Sequence, residues 1–356
     1  MRVTTSSTIR TYRSSLARAT LSQYNAMNLV LSNGRLFNSF ADSPARATES
    51  YRLHSAYAKN QSHQETNDTM ISKFEQAHSS MQQISDQYKN ALEQAMRAQN
   101  TPTGGALKEL GTTLKGVAES MVNTLNVKYG DKYVFAGADG DNAPFKLENG
   151  ELLYRGFKVD DIDLDATTPP AGSGLTQDEF DKLKETWNSA LNEHSYVDIG
   201  LGFSLDANQE VIPSTAFDSS ISGLEIMGYG KDENGNPNNL ISIISKLGEI
   251  YSQSDEDGKL PSDLETQAKQ LFGKMQDTFT NVNTEWATIT SRAEFLESNE
   301  KRLVDTGDNL TEQFTSVDKT DMADALTTFA YAQYTYNAAL RVGNQVLSQS
   351  FIDYMG

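Results

Sequence analysis

Apolar residues recur at alternating three- and four-residue steps near the start of the chain. In residues 5–32 this stripe predicts an amphipathic helix with a narrow seam of the coiled-coil type. The members of the stripe are Ile9, Tyr12, Leu16, Ala19, Ala26 and Val30. Asn33-Gly34 predicts the end of the helix, because both residues tolerate the left-handed conformation. Ser43-Pro44 predicts a restart, with Ser as N-cap and Pro at the first helical position.

A much longer helix is predicted next. Residues 45–101 contain neither Pro nor Gly, and the apolar alternation runs from Ile71 to Ala95. At 1.5 Å per residue this segment would span roughly 80 Å. A compact core cannot surround a helix of that length, so the pattern indicates a rod or bundle. A third amphipathic helix is predicted from Leu107 to Leu125.

The helical pattern returns in the last third of the chain. A short helix is predicted from Asn239 to about Gln253, and a long one from about Ser262 to Val317. A final helix begins near Met322 and carries a second apolar stripe that includes Leu340. Neither end of the chain can bury its stripe alone, so we expect the N- and C-terminal helices to pack together.

The middle of the chain has a different character. Gly, Pro, Asn and Asp break the segment from Tyr133 to about Gly230, which predicts short strands separated by turns. Thr176-x-x-Glu179 is a capping box that predicts one helix over 177–192. The predicted strands are Tyr133–Phe135, Leu152–Val159 and Tyr196–Leu205.

These patterns predict a mainly α fold with an inserted α+β, β-rich domain, in which the terminal segments form an elongated helical bundle and coiled coil. The predicted division has three parts. They are a terminal coiled-coil assembly domain (1–42 and 318–356), a helical core domain (43–138 and 239–317) and an acidic β-rich outer domain (139–238).

Charge is distributed unevenly along the chain. The net charge is −18, yet residues 1–41 carry five Arg and no acidic residue. Residues 139–258 carry 24 acidic and 7 basic residues, so the middle holds nearly the whole excess. A protein this acidic repels phosphates, and its few N-terminal Arg residues alternate with the apolar stripe. We therefore expect no nucleic-acid partner.

Membrane insertion and thiol chemistry are not expected either. No stretch approaches eighteen consecutive apolar residues, and the N-terminal residues have no apolar segment typical of a Sec signal peptide. The chain has no Cys, which excludes disulfides, thiolate catalysis and Cys-ligated zinc.

No catalytic, cofactor-binding or metal-binding set is recognisable in the sequence. None of the four His residues has another His three or four positions away, and neither a Walker A loop nor a G-x-S-x-G motif is present. His78 falls on the apolar stripe, which favours a packed imidazole. Gly200-Leu201-Gly202 lacks the third Gly of a dinucleotide site and favours a strand kink.

Two acidic segments differ from calcium-binding loops at the positions that matter. An EF-hand loop beginning at Asp161 would have Ala166 at its sixth position and Gly172 at its twelfth, where Gly and Glu are required. The alternation in 160–165 instead favours a strand with solvated Asp residues and inward-facing Ile162. Residues 232–237 fail the same comparison and favour a turn.

Four segments resemble the hook–filament junction family of the flagellin superfamily. The first is Met-Arg-Val-Thr at positions 1–4. The second is Ser-Asn-Gly-Arg at 32–35 followed by Ala-Asp-Ser-Pro at 41–44, in which Ser43 replaces the family's second Asp. The third is Lys-Tyr-Val-Phe-Ala-Gly at 132–137 followed by Pro-Phe at 144–145. The fourth is the C-terminal helix from Val342 to Tyr354.

The resemblance implies a structural subunit of the bacterial flagellum that joins hook to filament and is not an enzyme. It implies an extracellular location reached by type III flagellar export, without a cleaved Sec signal. Implied partners are further copies in a ring, the second hook-associated junction protein, flagellin, and the export apparatus with its chaperone. Cofactors are not implied.

The resemblance also assigns an assembly interface to the terminal helices. On the N-terminal side we assign Ile9, Tyr12, Leu16, Ala19 and Val30, and on the C-terminal side Leu340, Val346, Leu347, Phe351 and Ile352. Three alternatives stay open. They are a flagellin that builds the filament, a cytoplasmic coiled-coil scaffold, and a glycan-binding or enzymatic insert. The last would require convergent polar groups in 139–238.

Overall fold

The fold is mainly α with a small strand-containing region inserted in the middle, as predicted. The computed structural model describes residues 5–37, 40–41, 43–100, 104–169, 175–255 and 258–355, with side chains in the last helix described as far as Gln345. The helices are α1 Thr5–Leu31, α2 Pro44–Asn100, α3 Gly104–Leu125, α4 Gln177–Leu191, α5 Gly223–Met227, α6 Leu240–Ser252, α7 Ser262–Asp318 and α8 Met322–Met355.

Two compact units make up the chain. The terminal unit comprises residues 1–62 and 304–356, and the central unit comprises residues 63–303. The boundaries fall inside α2 and α7. The central unit thus holds both most of the predicted helical core and the whole of segment 139–238. The predicted three-part division stays a prediction.

The helix limits follow the capping residues. At the end of α1, Asn33 and Gly34 have φ of 56° and 78°, and the Gly34 N–H donates to the Leu29 carbonyl at 2.9 Å. This reversal closes the helix end with its own backbone groups. The α4 helix begins with the predicted capping box: Thr176 Oγ1 accepts from the Glu179 N–H, and the Glu179 carboxylate accepts from the Thr176 N–H.

Four helices of the central unit enclose its core. Tyr88 of α2 stacks on Phe279 of α7 with ring centroids 3.6 Å apart. Helices α3 and α6 approach closely at two glycines, since a Cβ on Gly111 would lie 2.7 Å from the Gly248 carbonyl oxygen. Fully or nearly fully buried residues include Phe74, Met81 and Ile84 of α2, Leu114, Met121 and Leu125 of α3, Leu240, Ile244 and Leu247 of α6, and Leu271, Met275 and Leu296 of α7.

The inserted segment 139–238 shares this core. Phe217 packs edge-on against Phe74 of α2 at a centroid distance of 5.5 Å, and Lys73 Nζ donates to the Ser219 carbonyl at 2.7 Å. The Asn126 side chain, just beyond α3, both donates to and accepts from the backbone of Phe145. The insert is therefore bonded to the helices around it.

The strands are shorter than the sequence predicted, and all pairs are antiparallel. They are β1 Lys128–Tyr129 with β2 Lys132–Tyr133, then β3 Phe145–Glu148, β4 Glu151–Tyr154 and β5 Phe157–Lys158 in one three-stranded sheet, and β6 Tyr196–Val197 with β7 Phe217–Asp218. In the central hairpin Phe145 lies opposite Tyr154 and Glu148 opposite Glu151.

Each predicted strand needs correction. The prediction of one strand over Leu152–Val159 was wrong, because Arg155 and Gly156 both take positive φ and reverse the chain into a second hairpin. The predicted strand Tyr196–Leu205 ends at Val197. Gly200 and Gly202, both with positive φ, lie in a bend and in the irregular segment after it, and not in a kinked strand. The predicted strand Tyr133–Phe135 stops at Tyr133.

The acidic run 160–165 is not a strand. A 3-10 turn spans Val159–Asp161, and the Asp163 carboxylate then accepts hydrogen bonds from the N–H groups of Asp165 and Ala166, both at 3.0 Å. These side chain–backbone bonds replace a strand ladder. The predicted orientation of the side chains is nevertheless confirmed, because Ile162 is buried and Asp161, Asp163 and Asp165 are exposed.

Candidate assembly surface of the terminal helices

The apolar stripe of α1 forms the shielded side of that helix. Helix α1 packs against α8. The predicted interface residues Ile9, Tyr12, Leu16 and Val30 are half-buried, and Ala19 is buried, whereas most of the residues between them are exposed. Alternating three- and four-residue steps keep one side of a helix facing a neighbouring helix, so this side supplies half of a seam.

The other half of the seam differs from the sequence prediction. Ala325 and Ala332 are buried along α8, and a Cβ placed on Gly343 would lie only 1.8 Å from Tyr12 Oη. The Tyr12 ring therefore occupies the space that a glycine leaves. Small residues on α8 leave room for larger side chains from α1 to pack against them. The sequence signal that could have indicated this stripe is a heptad spacing, which runs through Met322, Ala325, Phe329, Ala332, Tyr336, Ala339 and Gly343.

The remaining predicted interface residues of α8 lie elsewhere or cannot be placed. Leu340 is outside the shielded stripe of α8 and is 39% exposed. The side chains of Val346, Leu347, Phe351 and Ile352 lie outside the described residues, although the helix backbone continues to Met355. The assignment of all ten residues to an assembly interface stays a prediction.

Backbone pairing joins the two segments that connect these helices to α2 and α7. Arg35 and Lys319 form an antiparallel bridge, the Leu36 N–H donates to the Asp318 carbonyl at 2.8 Å, and the Thr320 N–H donates to the Gly34 carbonyl at 2.9 Å. The N- and C-terminal parts of the chain are thus tied together within the terminal unit.

A side-chain cluster lies beside this pairing. His54 stacks on Phe314 with ring centroids 4.5 Å apart, and His54 Nε2 lies 3.2 Å from Asp318 Oδ2. Tyr57 contacts the same phenylalanine edge-on at 5.8 Å. These contacts join the first turns of α2 to the end of α7, so the ends of both long helices are held together in this unit.

Large apolar side chains also point outward from the terminal helices. On α1 these are Leu21, Tyr24 and Leu31, and on α8 they are Leu326, Tyr331, Tyr334 and Val342, each at least half exposed. Most of the exposed large apolar residues in the described part of the chain belong to the terminal unit. Large apolar side chains concentrated on an exposed surface are typical of interaction sites.

The candidate chemical groups have structural partners. His78, on the apolar stripe as predicted, accepts a hydrogen bond from Trp286 Nε1 at 3.1 Å. His63 lies 3.3 Å from Asp198, and His194 lies 2.8 Å from Asp218. Within the described ranges no cluster of three His, Asp or Glu side chains is arranged to hold a metal ion.

The loop 232–237 is a turn, as predicted. The Asp232 carboxylate accepts from the N–H groups of Asn234 and Asn236 and from Lys274 Nζ at 2.7 Å. Partial burial raises the pKa of Asp232, but these donors outweigh that effect and leave its pKa below the usual value. The carboxylate thus holds the turn to α7.

None of the helices in the described residues is long and apolar enough to cross a membrane.

Comparison with known proteins gives a likeness of fold. No family model and no curated protein matches the sequence. A solved structure of a flagellar hook-associated protein from Vibrio parahaemolyticus is similar with a TM-score of 0.56 and 13% identity, covering 78% of this chain and 100% of that one. A flagellar hook-associated protein 3 from Legionella pneumophila aligns with a TM-score of 0.48 and 12% identity, covering 75% of this chain and 98% of that one.

The protein thus has a mainly α fold whose two ends pack together, and its fold is that of the Vibrio hook-associated protein.

Proposed function

We propose that this chain is a structural subunit of the bacterial flagellum, of the hook–filament junction type, which assembles through its terminal helices. The observation that carries the proposal is the outward apolar surface of α1 and α8. Leu31 and Tyr334 are each 74% exposed, and such surface is costly in water at about 25 cal/mol per Å². Burial between neighbouring copies would remove that cost.

The partners follow from the same proposal. Copies of the chain form a ring, with the second hook-associated junction protein on the hook side and flagellin on the filament side. The export apparatus and its chaperone deliver the chain to an extracellular location. No catalytic step is part of the proposed role.

Charge placed on the outward surface tests the proposal. The double variant Tyr24→Asp, Tyr334→Asp puts two carboxylates where a neighbouring copy would bury aromatic rings, so we expect self-association and swimming to be lost. The control Ser22→Asp, Gln333→Asp adds the same charge at exposed polar positions of the same helices and should retain both. Association is measured by analytical ultracentrifugation, and motility in a strain whose own copy is deleted.

The control measurements distinguish loss of the association surface from unfolding of the protein. Circular dichroism should show the same helix content in both double variants. Wild-type association by the Tyr24→Asp, Tyr334→Asp protein would contradict the proposed surface. Equal loss in both double variants would also contradict it, since the added charge alone would then be responsible.

A further inference from the structure

A polar groove runs along one side of the central unit, between residues 225–238 and one face of α7. Its volume is about 870 Å³, within the range of small-molecule binding sites. One wall carries Tyr229, Asn234 and Asn238, and the α7 wall carries Gln270, Asp277 and Asn281. The groove therefore contains the convergent polar groups that a binding role for the insert requires.

The walls of the groove are held in place by the chain itself. The Asn238 N–H donates to the Gly230 carbonyl at 2.9 Å, and Asn239 Nδ2 donates to the Gly228 carbonyl at 2.7 Å. Lys274 Nζ donates to the Asp232 carboxylate, and Asn236 Nδ2 donates to Gln270 Oε1 at 3.2 Å. A pre-formed site loses less conformational entropy when a ligand binds.

Gly273 lies in the groove within the 57-residue helix α7. Alanine is the better helix former, and a Cβ on Gly273 would meet nothing within 4 Å. No contact in the described chain therefore requires a glycine here. A bare backbone in a groove allows close approach of a ligand.

The chemistry of the lining selects among ligand classes. Both lysines of the lining are already paired, Lys274 with Asp232 and Lys269 with Glu265, so the groove offers an anion such as a sulfated sugar no unpaired lysine. Side-chain amides both donate and accept hydrogen bonds, as sugar hydroxyls do. The half-buried Tyr229 adds an aromatic face for the apolar face of a pyranose ring.

We propose that this groove binds a neutral oligosaccharide. The site is a second function of the central unit and does not depend on the assembly role proposed for the terminal helices. Assembly variants such as Tyr24→Asp, Tyr334→Asp should bind the sugar as the wild type does, so the two proposals can fail separately.

The test uses the full-length protein and four probes in isothermal titration calorimetry: cellotetraose, chitotetraose, maltotetraose and a heparin-derived tetrasaccharide. We expect saturable binding of at least one neutral tetrasaccharide and none of the heparin fragment. Gly273→Ala should weaken that binding by about tenfold or more while raising thermal stability. Tyr229→Ala should also weaken it.

Gly116→Ala is the matched control. Gly116 is also a helical glycine with nothing within 4 Å of an added Cβ, but it lies in α3, away from the groove lining. This variant should be stabilised and should bind the sugar normally. Failure of all three neutral probes to bind would overturn the inference. So would binding of the heparin fragment alone, or unchanged affinity in Gly273→Ala.

Discussion

At the scale of single residues, Gly343 and Tyr12 decide how closely α1 and α8 approach. The glycine has no side chain where the tyrosine ring lies. A larger residue at position 343 would clash with that ring, so a steric requirement favours glycine there. Leu340, in contrast, does not lie in the seam. The apolar pattern predicted it in the interface, but the structure leaves it on the outer side of α8. Hydropathy ranks Leu above Ala and Gly, although a close helix pair needs the small residues inside.

The first prediction concerns Gly343→Ala. Alanine favours the helix by about 1 kcal/mol, but overpacking against Tyr12 costs roughly 1–3 kcal/mol, so the terminal helices should become less stable. Melting of the assembled protein followed by circular dichroism measures the change. In a Tyr12→Ala background the same substitution should be neutral or stabilising. An equal loss in both backgrounds would show that the two residues do not interact.

A second residue-scale prediction concerns Asp160, whose Oδ1 is buried without a hydrogen-bond partner in the described part of the chain. Burial raises the pKa of this carboxyl, while the nearby Ser242 hydroxyl and the charges of Lys231 and Lys246 act in the opposite direction and only partly offset it. A carboxyl with a raised folded-state pKa binds its proton more tightly in the native state. Its contribution to stability is therefore lost as pH rises through the folded-state pKa.

Replacing this group with a neutral one removes that dependence. Asp160→Asn should raise the free energy of unfolding near pH 7 by about 1 kcal/mol. The gain should vanish when pH falls below the ordinary range of an Asp carboxyl. Urea unfolding at several pH values measures it, with Asp165→Asn, at an exposed position of the same acidic run, as control. A gain that is constant with pH would contradict the titration argument.

At the scale of elements, the helices were predictable from the sequence and the strands were not. The limits of α2, α4, α6 and α7 lie within one or two residues of prediction, because periodicity and caps are local signals. The strands are two to four residues long, and those of the central sheet are separated by residues with positive φ, Asn149-Gly150 and Arg155-Gly156. Contacts with neighbouring helices and the residues that follow them, such as the hydrogen bonds between Asn126 and the backbone of Phe145, position the strands, and strand propensity does not reveal such contacts. The five-residue α5 has no periodic signal and was not predicted.

A buried polar pair aligns the two longest helices. Asn299 Nδ2 of α7 donates to Asn67 Oδ1 of α2 at 2.9 Å and to the Ile199 carbonyl at 3.0 Å, and Asn67 Nδ2 donates to the Leu296 carbonyl at 3.0 Å. Both side chains are buried. Nothing in the sequence singled out these two Asn residues, because they become partners only when distant segments meet.

The element-scale prediction follows from this pair. Asn67→Ala should lower the free energy of unfolding by about 2 kcal/mol, since it leaves the amide of Asn299 and the Leu296 carbonyl with fewer partners. Chemical unfolding followed by circular dichroism measures it. Asn90→Ala, at an exposed position of the same helix, should change stability by less than about 0.5 kcal/mol. Similar effects of the two substitutions would remove the argument for the buried network.

Over the whole molecule, the main core and the outward apolar surface that we propose for assembly belong to different units. The main buried cluster runs from Phe74 to Leu296 and lies wholly within residues 63–303. Outward apolar residues are concentrated in the terminal unit. The sequence predicted the pairing of the chain ends, but not how tightly segment 139–238 is joined to the surrounding helices.

A fragment of residues 63–303 tests this separation. It retains the complete main core, so we expect a cooperative thermal transition and native-like helix content. It lacks α1 and α8, so it should remain monomeric at concentrations where the full chain associates. Circular dichroism and analytical ultracentrifugation measure the two properties. A non-cooperative melt would show that the core needs the terminal unit.

Immunogold labelling of isolated hook–filament structures would show whether the protein has the place in the flagellum that we propose. Antibodies against residues 139–238 should label a narrow zone where the hook meets the filament, and a strain lacking the protein should show hooks without filaments and without label. Label along the whole filament would identify a filament subunit instead. Label confined to the cytoplasm of intact cells, with none on the isolated structures, would contradict a flagellar role.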